Sequence, residues 1–66
     1  MNTNPNTTIV RTATATGDTA ADFNTMLDIH RELSADGIDY DWSTADATID
    51  GVASIVFATG PINTTF

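Results

Sequence analysis

The 66-residue sequence has no cysteine, no lysine, one glutamate, one histidine and two prolines. Without cysteine it has no disulfide framework, no thiolate nucleophile and no thiolate metal site. Without lysine, and with only Arg11 and Arg31 as cations, it has no basic patch for phosphate backbones or anionic lipid. Its nine acidic residues and formal net charge of −7 would repel both. A single histidine leaves a Ser-His-Asp arrangement with His30 and one of Ser34, Ser43 or Ser54, none persuasively placed. No apolar run approaches the ~18 residues of a membrane span, and the start Met-Asn-Thr-Asn-Pro lacks the basic and apolar character of a secretory signal. A soluble, cytoplasmic protein without direct nucleic-acid or membrane contact is expected.

What is present is aspartate and threonine. Eight of the nine acids are Asp, so each charge sits on a short stem close to the backbone, and thirteen residues are Thr. This composition is similar to that of proteins from salt-loving organisms, and equally to an ordinary solvated acidic face. The length bounds residues 1–66 to one small domain. Such a chain buries only roughly 60% of its unfolded surface, so oligomerisation or docking on a partner is the remaining common source of stability.

The pattern along the chain gives four elements. Residues 1–6 read as a loose tail. The β-branched segment TTIVRTATAT from Thr7 to Thr16 reads as a strand, with Ile9, Arg11, Ala13 and Ala15 on one face and Val10 among the threonines on the other. Gly17 breaks it, and Asp18 or Thr19 caps a helix in which Thr19 and Asp22 resemble a capping box. Phe23, Met26, Leu27, His30 and Leu33 form the apolar stripe, with Ile29 beside them and Asp22, Asp28, Glu32 and Asp36 turned away. Gly37 stops the helix at about Ala35.

Period-two alternation then places Ile38, Tyr40 and Trp42 on one strand face and Asp39 and Asp41 on the other. Asp50-Gly51 signals a two-residue hairpin that pairs Ile49 with Val52 and brings Thr44 opposite Phe57. The run VASIVFA is the most apolar strand, and Gly60-Pro61 ends it before a tail over residues 61–66. The expected fold is therefore α+β in the order β-α-β-β, with one helix packed on a three-stranded antiparallel sheet and the last strand central. One helix covers one side, so Val10, Val56 and Ala45 are expected on a second, uncovered face.

Asp36, Asp39 and Asp41 could attract a hard cation, but they lack the alternating Asp-x-Asp-x-Asp-Gly spacing and the closing Glu of a calcium loop, so no metal is expected. Asp39 and Asp41 on one strand face would lie about 6.5–7 Å apart, close to the phosphate repeat. With Asp28, Glu32, Asp36, Asp46 and Asp50 nearby, such a ladder could imitate nucleic acid in a Lys/Arg groove.

Tyr40 and Trp42 read as core under the helix with Phe23 and Leu27, or as a stacking platform. The β-α-β-β order, the chain length, Thr16-Gly17-Asp18 before the helix and Trp42 early in the second strand resemble dodecin, the small flavin-binding twelve-mer. That resemblance implies flavin as cofactor, Trp42 as the stacking residue and a ring-shaped oligomer.

The reading these residues favour is a non-enzymatic acidic module, without cofactor, that binds the basic surface of a protein. Its sharpest form is a nucleic-acid-mimic inhibitor of a nucleic-acid-binding protein, of the kind viral or mobile elements encode. The alternatives are a dodecin-like flavin-binding oligomer and a small structural subunit of a salt-adapted particle.

Overall fold

A computed structural model describes residues 6–66, so the expected loose tail lies, apart from Asn6, outside the described residues. The elements run β1 (Thr8–Thr14), α1 (Thr19–Ala35), β2 (Trp42–Ile49) and β3 (Val52–Thr59). The sheet order is β1-β3-β2 and both pairings are antiparallel. The α+β architecture and the central place of the apolar strand are as expected: Ser54 to Ala58 of β3 are all buried, because only the middle strand has neighbours on both edges.

Local chemistry sets the ends of α1. The Asp18 carboxylate accepts the N–H groups of Ala20 and Ala21, two of the orphan donors of the first turn. At the other end Gly37 has φ 71°, its N–H donates to Ser34 O, and the Ile38 N–H donates to Leu33 O. Those two bonds make a Schellman stop, which needs a left-handed residue where Gly37 stands. The Asp50-Gly51 hairpin has positive φ at both central residues, as a type I′ turn requires, and pairs Ile49 with Val52.

Three features differ from the sequence pattern. The first is the helix face. The seam facing the sheet is Asp22, Met26, Ile29 and Leu33, whereas Phe23 is 59% exposed, His30 is exposed and Leu27 is only half-buried. The apolar residues span a wide arc, and the helix is rotated toward Ile29 because Asp22 is bonded inward.

The second is a pair of β-bulges, one between Ile9 and Arg11 and one between Thr44 and Ala47. An extra residue inverts the alternation beyond it. Val10 and Ala45, expected on the second face, therefore pack on the helix-side cluster of Ile29, Leu33, Ile55 and Phe57. Ile9 moves the other way, opposite Ala58. The hairpin register slips correspondingly, so Thr44 faces Val56 and Ser43 faces Phe57.

The third is the second face, which is not bare. Val56 and Ala58 are 0% exposed and Ala47 1%, and Trp42, Ile49 and Phe66 pack against them. The expected C-terminal tail is in fact ordered along β2. The Thr48 N–H donates to Thr64 O (2.8 Å) and the Phe66 N–H to Thr48 O (2.9 Å), a parallel bridge that carries the Phe66 ring over the sheet. No helix among the described residues is long and apolar enough to cross a membrane.

Candidate functional site

The helix-side face of the sheet is unevenly filled. Toward the end of β3, Phe57 and Ile55 meet Leu33 and Ile29 in a close-packed cluster. Toward the β2–β3 turn the corresponding positions are Ala15, Ala45 and Ala53, whose methyl groups are too short to reach the first turns of α1. The space left is a half-open groove of about 580 Å³, with Phe23 and Met26 on its helix wall and Thr19, Asp22, Asp46 and Thr48 among its polar lining. Its volume falls within the range of ligand-binding clefts, and it combines an apolar floor with a few polar groups at the margin. Phe23 is the large apolar side chain the packing leaves beside it, with most of its surface in water.

Electrostatically this end of the molecule is negative throughout. Asp18 caps the helix, Asp22 and Asp46 line the groove, and Asp50 lies in the adjoining turn. Asp22 is 5% exposed and fully engaged: its Oδ1 accepts the Thr16 N–H (2.9 Å) and hydroxyl (2.8 Å), and its Oδ2 accepts the Gly17 N–H (3.2 Å). These bonds, led by the Thr16 backbone N–H and then its hydroxyl, hold the carboxyl below its ordinary 3.8 against the opposing effect of burial. Asp46 and Asp50 are exposed, and no cation among the described residues bridges to either.

The seven acids expected to form one partner-binding face divide into groups. Asp28 sits 3.8 Å from Arg31, and Glu32 bonds Arg11 at 3.1 Å, so both arginines are taken up on the flank of α1. Asp36 and Asp39 are exposed beyond the helix C-terminus. The strand expected from Ile38 begins only at Trp42, because the Schellman stop and a connecting loop occupy residues 36–41. Asp39 and Asp41 therefore do not share a strand face. The Asp41 carboxylate is exposed and engaged at the end of β3, accepting the Gly60 N–H at 2.8 Å. From Asp41 to Asp50 the chain climbs the whole of β2, roughly 30 Å, several Debye lengths at physiological salt.

Tyr40 and Trp42 also part company. Tyr40 packs edge-on against Phe57 in the helix-side cluster and bonds His30 Nδ1 at 2.8 Å. Trp42 lies on the opposite face, half-buried against Ala47, Val56 and Ala58, with its Nε1–H donated to Gly60 O at 3.0 Å. Of Ser34, Ser43 and Ser54, the serines a His30-based dyad would need, Ser54 is buried with its hydroxyl donated to Val52 O, while His30 bonds Tyr40. Among the described residues no three His, Asp or Glu side chains converge as a metal site would.

The sequence pattern missed Phe23 and Met26 as groove walls, because an apolar residue in a helical stripe reads as core until the helix rotation is known. The alanines at 15, 45 and 53 were the available signal, since small residues under a helix leave room. Compared with known protein families, curated proteins and solved structures, the chain matches none.

Proposed function

We propose that this protein is a non-enzymatic acidic binding module that seats an apolar side chain of a basic protein segment in the groove between the first turns of α1 and the end of the β2–β3 hairpin. The observation that carries this is the coincidence of the unfilled, Phe23-walled groove with carboxylates at Asp46 and Asp50 that no cation among the described residues neutralises. An apolar anchor fills the cavity, and Lys or Arg residues beside it meet the rim. Anchor burial supplies affinity, while the net charge of −7 speeds encounter and rejects acidic competitors.

A nucleic-acid-binding protein is the sharpest partner of this chemistry, since its basic groove is where such a field is strongest. Support for that form comes from the field as a whole and not from a regular ladder at Asp39 and Asp41. The module performs no reaction of its own in this reading: His30 is held by Tyr40 and is not part of the groove lining.

The test is a titration of the isotope-labelled chain with Lys/Arg-rich peptides carrying one central Leu or Phe, against the same peptides with Ser. The expected result is saturable shifts at Ala15, Met26, Ala45 and Ala53, an affinity at least tenfold lower for the Ser peptides, and weakening by salt. Phe23→Ala and Asp46→Asn should each reduce binding. Equal affinity for the Ser peptides, or shifts confined to Asp36 and Asp39, would refute the groove as the site.

A further inference from the structure

The two outer edges of the sheet differ. The edge of β2 is capped near its end, where residues 64–66 bond Thr48 and Asp50 N–H reaches Phe66 O at 3.4 Å, and it is bulged between Thr44 and Ala47 with the Asp46 carboxylate beside it. The edge of β1 has no partner strand among the described residues, since β1 pairs with β3 alone. An open edge presents a row of unpaired N–H and C=O groups, which proteins ordinarily blunt with lysine, proline or an inward charge. Residues 8–14 contain neither lysine nor proline, and the one charge, Arg11, is drawn back to Glu32. The bulge is confined to the start of the strand; from Arg11 to Thr14 the pairing with β3 runs in unbroken register.

Charge singles out the same strand. All nine acidic residues lie between Asp18 and Asp50, and residues 6–17 contain none. Two copies each carrying −7 repel, and β1, which bears no acid and whose neighbour Glu32 is paired with Arg11, is the strand where that repulsion is expected to be weakest. A basic partner is drawn to the carboxylates instead, and the chain itself has no unpaired arginine to offer them. The edge therefore suits a second copy better than a foreign cationic strand, and an antiparallel edge-to-edge contact is self-complementary about a two-fold axis.

We infer that two copies of this chain pair antiparallel through the β1 edges to form a continuous six-stranded sheet. The contact uses the outer edge of β1 and not the groove's interior, although Ala15 of the lining follows directly on the strand, and it does not rest on the groove's specificity. Its salt response is also opposite in sign. Raising NaCl from about 0.1 M to about 1 M shortens the Debye length from ~10 Å to ~3 Å, which relieves repulsion between copies while weakening attraction to a basic peptide.

The experiment is sedimentation of the intact chain up to millimolar concentration at both salt levels, with residue-resolved amide hydrogen exchange. The expected result is a species of twice the 7.0 kDa chain, more populated at high salt. Alternate amides of residues 8–14 should slow with protein concentration while Thr48 does not change. Thr12→Asp, at an exposed position of β1, should lower the association constant at least tenfold with an unaltered melt, and Thr14→Asp serves if the first variant unfolds. A monomer at every condition, or a dimer whose protection falls on the groove or the Trp42 face, overturns the inference. Peptide binding that survives in that monomer shows that the groove reading stands independently.

Discussion

A single oxygen of Asp22 accepts two bonds from Thr16, one from its N–H and one from its hydroxyl, across the turn that joins β1 to α1. The carboxylate thereby ties the end of a strand to the first turn of the helix it belongs to. It also sits near the positive end of the helix dipole.

This tie has a definite acid signature. The folded carboxyl lies below 3.8, so the folded state binds fewer protons than the unfolded state at low pH. Its stabilisation is complete above the ordinary value and is lost as pH falls through the depressed one. Melting temperatures recorded from pH ~6 downward should show that acid-side loss in the native chain and a smaller one in Asp22→Asn, which also places an amide donor toward the Gly17 N–H. Identical pH profiles would mean that the bond is not maintained in solution.

Leu33 is fully buried, whereas Phe23 on the same helix is not. Leu33→Ala should cost about 2–5 kcal/mol, much of what a chain of this size possesses, and leave it largely unfolded at 25 °C. Leu27→Ala should cost clearly less, and Phe23→Ala should leave the melt within about 0.5 kcal/mol of the native value. Thermal melts of the three variants check this ordering; a Phe23→Ala variant as damaged as Leu33→Ala would place the helix face differently.

Filling the groove from within should separate binding from folding. Ala45 packs toward the helix beneath the cavity, so Ala45→Leu places four-carbon bulk where a partner's anchor would enter. The fold should persist with an equal or higher melting temperature, and apolar-anchored basic peptides should bind no better than their Ser counterparts. Unimpaired discrimination between the two peptides would argue that the anchor sits elsewhere.

Trp42 offers a spectroscopic check on the flavin alternative. Its indole N–H is committed to Gly60 O, so Trp42→Phe should cost about 0.5–1.5 kcal/mol through that bond. Titration of oxidised flavin should leave the native Trp42 emission unchanged. Saturable quenching at micromolar flavin would instead favour the alternative in which this ring is a stacking platform.

On the second face, Phe66 packs over Val56 and Ala58, and residues 64–66 occupy Thr48. Phe66→Ala should cost about 1–2 kcal/mol, the value of a partly buried aromatic, and should speed exchange of the Thr48 amide. An unchanged Thr48 amide would show that the strand bonds hold without the ring.

The sequence was most legible where one residue type does one job. Gly37 as the helix stop, Asp50-Gly51 as the hairpin and the run through Phe57 as the central strand each follow from a local signal, and all three hold. It was least legible where one residue of phase decides. The bulges after Ile9 and after Thr44 leave no mark in an alternating pattern of small and β-branched residues, yet each exchanges the faces beyond it. The helix rotation was hidden for a related reason: Asp22 scores as polar and outward, and only its bonds to Thr16 and Gly17 turn it in. Phe66 was invisible because five residues after a Gly-Pro stop carry no periodicity to read.

The bridge that joins residues 64–66 to Thr48 bears on how far association could go. A sheet with two free margins can add copies at both and grow without limit, as fibrils do. Here residues 64–66 obstruct the β2 margin around Thr48, so pairing of two copies through β1 would leave only obstructed margins for further addition. Removal of residues 63–66 would clear the Thr48 margin, and under the proposed pairing it should shift the association from a dimer toward open-ended growth.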